Sequence, residues 1–376
     1  MLMKILILSC NTGGGHNSAA LAMREYFDTV GAECEIRDAL AFKSEVKSKI
    51  ISQGHVLIYK KAPHLFGAGY RYLEQHPPKP GQTSVIYDSV KNDSEELYDF
   101  LSQNAFDVIL CTHLFAAMIV TEMKKKFAFS IKTYLIVTDY TCYPGMNEIT
   151  IDRIFIPHPL MLSEYEENGI PLEKITPTGI PVKASFYQRT SALDAKKALG
   201  LDESKRMVLI MCGSMGAGPI PELAESLIQK LPADTMLTVI CGSNEKLYKK
   251  FQKMDLSERV RVVGFTDCVS LYMDASDVIL TKPGGLSATE SATKGIPMVL
   301  VDAVPGCETK NMDFFIQNGF ALTANDTEGL SNAVMSLLSD HKKRENMLTL
   351  QKKSFSSYAA QTIGKLIVSE ATYIHG

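Results

Sequence analysis

Short strand-like segments at 4–9, 33–38, 107–112, 131–138 and 153–157, and again at 207–212, 236–241, 260–263, 277–280 and 297–301, alternate with stretches of helical pattern. Apolar runs this brief suit strands buried on both faces, and parallel strands need crossovers of the kind the intervening helices supply. The pattern predicts an α/β chain of two consecutive doubly wound units, each on a parallel sheet. The first covers 1–180 and the second 181–355, joined at the Gly/Pro segment GIPV at 179–182, with a C-terminal helix over 356–376 returning to the first unit. A chain of 376 residues that is 45% hydrophobic can give each unit its own core.

Composition narrows the partners. A formal charge of -3 gives no global attraction to nucleic acid, so no nucleic-acid partner is expected and any basic surface must be local. The eight cysteines are scattered with no CxxC pair, which argues against structural zinc and for free thiols in a reducing compartment. The opening MLMKILILSC is too short an apolar run for a signal peptide, and no run reaches transmembrane length. A cytoplasmic chain is expected, with peripheral membrane contact left open.

Ligands of doubly wound sheets bind at the carboxyl ends of the strands, so the loops after strands carry the chemistry. The first is NTGGGH at 11–16. A dinucleotide fingerprint needs a third glycine where Ser18 stands, which argues against NAD although Asp38 occupies the ribose-acid position. Backbone amides at Thr12, Gly13, Gly14 and Gly15 suit an anion or developing negative charge. His16 at the positive helix end stays neutral, as a general base requires; helix capping is an equal alternative. The second loop, GSMGAG at 213–218, lacks the Lys-Ser/Thr of an ATPase loop and suits a diphosphate held by main-chain N–H groups of Gly213, Ser214, Met215 and Gly216; a plain turn is the alternative. The third runs from Thr281 to Asn311. Pro283, Gly284 and Gly285 turn after a strand, a helix follows over 286–294, and Gly295 stops it. Glu290 could accept both hydroxyls of a ribose, and Glu308 and Asn311, three apart, could share one helix face toward a sugar; dipole balance and a solvated face are the bland alternatives. Together the loops suggest a nucleotide-sugar cleft between domains.

The motifs TGGGH at 12–16, GIPV at 179–182, GSMGAG at 213–218, and the KPGG, ATE and VPG-E blocks within 282–308 resemble the monogalactosyldiacylglycerol synthase and processive diacylglycerol glucosyltransferase group, which is related to the lipid-linked N-acetylglucosaminyltransferase of cell-wall synthesis. The resemblance implies a GT-B fold, two Rossmann-like domains facing across a cleft, the first for acceptor and the second for a UDP-hexose. It implies inverting transfer to a lipid hydroxyl, with diacylglycerol as the expected acceptor. His16 would be the base, a role worth about 10²- to 10⁴-fold in rate; Asp139, which ends a strand facing the expected cleft, is a candidate for orienting His16 or the acceptor on its position alone. Residues 214–218 would hold the diphosphate, Phe265 and Thr266 would face the uracil, Glu290 would hold the ribose, Glu308 and Asn311 fall where the group contacts the sugar, and Thr289 is a further donor-binding candidate. Lys183 stands where the group commonly has arginine, so a phosphate contact there would be a point charge. No cofactor and no metal are expected: helix dipoles and amides can stabilise leaving UDP, and the chain has no D-x-D.

Two departures from the group's pattern stand out. Cys307 replaces the glutamine of PGQE, which leaves glucose against galactose open. After Val137-Thr138-Asp139 the group commonly carries a His and a Trp, whereas this chain reads YTCYPGMNE and has no tryptophan. Within 41–80, seven Lys or Arg against two acids mix with aliphatic and aromatic residues. Such a mixture suits docking on an anionic membrane surface, at the inner face of the cell membrane, with Lys60, Lys61, Phe66 and Tyr70 as candidates; an ordinary surface helix pair is the alternative. A non-catalytic UDP-sugar sensor is the competing function, though a pure binder has no use for a base at His16.

Overall fold

Both sheets are parallel throughout. The computed structural model describes residues 3–78, 82–213 and 219–372. In the first sheet β1 (Lys4–Ser9), β2 (Glu33–Asp38), β3 (Val108–Cys111), β4 (Lys132–Ile136), β5 (Arg153–Ile156) and β6 (Ile175–Pro177) lie in the order β2-β1-β3-β4-β5-β6. In the second, β7 (Arg206–Met211), β8 (Thr235–Ile240), β9 (Val260–Val263), β10 (Val278–Thr281) and β11 (Met298–Leu300) lie in the order β11-β10-β7-β8-β9. Strand order reverses beside β1 in one sheet and beside β7 in the other. The loops after β1 and β3, and after β7 and β10, therefore border the two ligand-binding switch points.

The chain forms two units, Met1–Ala184 with Val304–Cys307 and Ser357–Gly376, and Ser185–Ala303 with Glu308–Ser356. The GIPV segment thus lies inside the first unit, with Ile180 and Val182 buried. The first core packs Ile5, Ile7, Phe27, Tyr134 and Phe155 with Ile363 and Ile367 of the helix Ala359–Thr372. The second packs Val208, Ile210, Leu237, Val239, Leu280 and Val299 with Leu337. Each such side chain contributes about 1.5–3 kcal/mol of burial.

Two local features differ from expectation. The edge strand β6 ends on Pro177, where the missing N–H costs no ladder bond, and its three residues leave no periodic signal. The first long helix spans Gly14–Thr29, so His16 falls in its first turn. Gly13, the residue before it, is fully extended, and a chain of side-chain bonds pins the turn: Ser9 Oγ to Asn17 Oδ1 (2.6 Å), Asn17 Nδ2 to Asn11 Oδ1 (2.9 Å) and Asn11 Nδ2 to Asp38 Oδ2 (2.8 Å). Asp38 also accepts from Ser48 Oγ and the Leu40 N–H, so its carboxylate is committed to holding this loop.

Gly364 on the last helix packs directly against the ring of Tyr26, where a Cβ would collide with Cε1 and Cδ1. Gly364→Ala is expected to lower the stability of the first unit by about 1–2 kcal/mol, the overpacking cost outweighing the helix propensity gained. Urea melts of both proteins check this, and an unchanged or raised midpoint would contradict the docking of that helix.

Candidate active site

His16 is half-buried, and the two hydrogen bonds of its ring both fall on Nδ1, from Thr112 O at 2.9 Å and Thr138 Oγ1 at 2.8 Å. A carbonyl oxygen only accepts, so Nδ1 carries the proton and, in the neutral ring, Nε2 is the bare nitrogen. Among the described residues no hydrogen bond to His16 uses Nε2. His16 does not cap its own helix, which has no side-chain cap; its bonds run instead to the ends of β3 and β4. Burial lowers its pKa from the ordinary value, against opposing contributions from Asp139 and the Thr112 carbonyl.

His113 stands edge-on to His16, ring centroids 4.3 Å apart. Its Nδ1 accepts from the Phe115 N–H and caps the helix Leu114–Lys126, so Nε2–H donates to Thr12 Oγ1 at 3.0 Å. The first residue of the glycine run is thereby fixed. A Cβ placed on Gly13 would meet no protein atom within 4 Å, so the backbone there is open to a close approach. Asp139 accepts from Tyr143 Oη at 2.7 Å. Thr112, His113, Thr138 and Tyr143 were not candidates from sequence, since each meets His16 or its neighbours only once the strands are assembled.

In the second unit Gly213, two residues beyond β7, has φ 70, a conformation that glycine adopts freely. Ser214, Met215 and Gly216 lie outside the described residues. After β10, Pro283 is buried, Gly284 is extended with no atom within 4 Å of a built Cβ, and the helix Gly285–Lys294 follows with no side-chain cap on its first amides. Gly295, at φ 59, stops it where expected. The Thr289 hydroxyl donates to its own helix at Gly285 O (2.6 Å), and Glu290 is half-buried one turn in. Phe265 holds its ring in solvent, 70% exposed, and Thr266 Oγ1 accepts from the Cys268 N–H. Lys183 is exposed and belongs to the first unit.

Glu308 opens the helix Cys307–Gln317 as expected, but the polar face differs. Asn311 is fully buried, and Glu308 is engaged by Lys282 at 3.6 Å. Lys282, only 7% exposed, also meets Asp302 at 3.6 Å. Among the described residues Asp302 is the single non-glycine residue at positive φ, at 49°. Lys282 thus ties the loops after β10 and β11 to the next helix. In the sequence it stood directly after a strand, at the head of the KPGG block, with no sign of its partners.

The helix Pro63–Gln75 lays Gly67 against Pro305 and brings Phe66 and Tyr70 to within van der Waals reach of Gly306, itself at φ 116. Phe66 and Tyr70 are therefore half-buried against protein, and burial raises the Tyr70 hydroxyl pKa. The outward apolar residues of this region are Val46, Ile50, Leu57, Ile58, Leu65 and Tyr72. Lys61 is exposed; the side chain of Lys60 lies outside the described residues. Among the described residues no helix is long and apolar enough to cross a membrane, and no cluster of His, Cys, Asp or Glu is placed to hold a metal ion.

Two doubly wound parallel sheets with glycine turns at their switch points give the chain a GT-B fold. The chain matches the family described as monogalactosyldiacylglycerol (MGDG) synthase over residues 16–182 and the family described as glycosyl transferases group 1 over residues 196–353. It is similar to the processive diacylglycerol beta-glucosyltransferase of Bacillus pumilus (strain SAFR-032), 27% identical over 374 residues, covering 99% of this chain and 96% of the relative. Among solved structures it is similar to MurG of Acinetobacter baumannii (TM-score 0.65, 14% identity, 98% of this chain and 99% of that one). It is also similar to HepE of Anabaena in complex with UDP (TM-score 0.58, 14% identity, 99% and 100%).

Proposed function

We propose that this glycosyltransferase moves a hexose from a UDP-sugar to the hydroxyl of diacylglycerol, with inversion at the anomeric carbon. The observation that carries the chemistry is the His16 ring held through Nδ1 by Thr112 O and Thr138 Oγ1, which leaves Nε2 as the nitrogen that can take a proton. As the acceptor oxygen bonds to the anomeric carbon and the bond to UDP breaks, the acceptor proton passes to His16 Nε2. The open backbone at Gly13 leaves space for the acceptor, and the first amides of the helix at Gly14 offer donors to developing negative charge. In the second unit the turn at Gly213, the uncapped start of the helix Gly285–Lys294, and Glu290 are the donor-binding elements, with Phe265 and Thr266 at the base. Glucose is favoured as the sugar by the name of the Bacillus relative. Lipid access follows from the outward apolar residues Val46, Ile50, Leu57, Ile58 and Leu65, set among exposed Lys43, Lys49, Lys61 and Arg71. Apolar groups below the headgroups and cations at lipid phosphates suit peripheral binding to the anionic inner face of the cell membrane.

The test is incubation of purified protein with UDP-glucose or UDP-galactose and diacylglycerol in anionic vesicles without added metal, with glycolipid and UDP followed by mass spectrometry. Glycolipid from UDP-glucose, falling when the vesicles are neutral, is the expected result. Transfer to a water-soluble alcohol in preference to lipid would replace the acceptor. Release of UDP with an altered free hexose and no acceptor product would indicate epimerase chemistry instead, and tight UDP binding without turnover would indicate a sensor.

A further inference from the structure

The polar atoms beside His16 form a chain whose direction is forced at both ends. Nδ1–H is committed to acceptors, because the Thr112 carbonyl oxygen has no proton to give. Thr138 Oγ1, 2.8 Å from Nδ1, must therefore accept there as well, leaving its own hydroxyl proton to be placed elsewhere. At the far end Tyr143 donates to the Asp139 carboxylate at 2.7 Å, so the Tyr143 oxygen is an acceptor toward Thr138, 3.4 Å away. The protons consequently run one way, from His16 to Thr138, to Tyr143, to Asp139. The result is a continuous path from imidazole to carboxylate that does not require the two to touch.

We propose that Tyr143 is a positioning residue for His16: its hydroxyl anchors Asp139 and, through Thr138, sets the orientation and proton affinity of the imidazole. The inference rests on the reading of His16 as the base. As the ring takes up the acceptor's proton, Thr138 and Tyr143 polarise toward it, and the held carboxylate stabilises the cation. Among the described residues the titratable groups around this path include His113, edge-on to His16, Cys307 on the Tyr143 side, and Tyr70 and Tyr165 near Asp139, with Glu74 beyond Tyr70.

The experiment is an NMR titration of protein labelled with ¹⁵N-histidine, the His16 signals being assigned by their loss in His16→Gln, together with pH–rate profiles. Wild type is expected to show the Nδ1–H tautomer and to titrate below 6.5, the ordinary histidine value. Tyr143→Phe is expected to move that midpoint down by about half a unit and to lower kcat about tenfold with the donor KM unchanged. Thr138→Val should act in the same direction and Thr138→Ser should restore the wild-type titration, which tests the link between His16 and Tyr143 even if Tyr143→Phe does not fold. In the double variant Tyr143→Phe/Asp139→Asn the loss should not exceed the larger single loss. An unmoved His16 titration in Tyr143→Phe, or in Thr138→Val, overturns the proposal. Retained transfer by His16→Gln would instead remove the base reading, while the titration still reports the path on its own.

Discussion

His16→Gln lowers kcat by about 10²- to 10⁴-fold while donor binding stays within a few-fold of wild type. Glutamine can still donate an amide proton to Thr112 O, so the local packing survives and only the proton acceptor is lost. The wild-type pH profile carries the matching signature. Burial depresses the His16 pKa, and the base works deprotonated, so activity is level at neutral pH and falls only as pH drops through a value below 6.5. Rapid-quench turnover and UDP calorimetry on both proteins decide the point. Transfer above about a tenth of wild type in the variant would assign deprotonation to another group.

Lys282→Met has the second largest effect, on the donor half. Lys282 faces the half-exposed Asp302 and the largely buried Glu308, and methionine fills the space of its stem while leaving both carboxylates without the cation. Removal of one partner of a buried ion pair exposes the uncompensated desolvation of the other. The second unit is expected to lose about 2 kcal/mol, less than a fully buried pair would because Asp302 reaches solvent. The loops after β10 and β11 loosen with it, and the donor KM is expected to rise about tenfold with a smaller change in kcat. A calorimetric scan and donor titration test this; an unaltered melting midpoint together with unaltered donor affinity would show that the triad holds nothing in place.

The alternation of strand and helix was legible because central strands of parallel sheets are buried on both faces and leave unbroken apolar runs, as β1 and β7 do. The three-residue edge strand β6 has no such run. At His16 the sequence left capping and a base equally open, and the choice is made by the ring's bonds, which run to Thr112 and Thr138 and not to its own helix. Its supports were not legible: Thr112, Thr138 and, at Thr12, His113 reach the loop from 96, 122 and 101 residues away, distances at which no local pattern operates. Composition in 41–80 revealed a basic, apolar segment but not which face turns inward. The inward choice of Phe66 and Tyr70 is dictated by Pro305 and Gly306, which arrive from far along the chain. Glu308 and Asn311 were placed on one helix correctly by spacing, yet spacing carries no word of the lysine that claims the carboxylate.

The helix Ala359–Thr372 supplies Ile363 and Ile367 to the core around Tyr26 and Phe27, although the whole second unit is encoded between them. On the ribosome, then, the first sheet emerges early but waits for its final apolar partner until the rest of the chain has been synthesised. The usual order of co-translational folding, amino-terminal unit first, is reversed here in its last step. Until that helix docks, the nascent protein exposes a greasy groove beside the very helix that carries His16, and a fragment cut at residue 184 would keep that groove permanently uncovered.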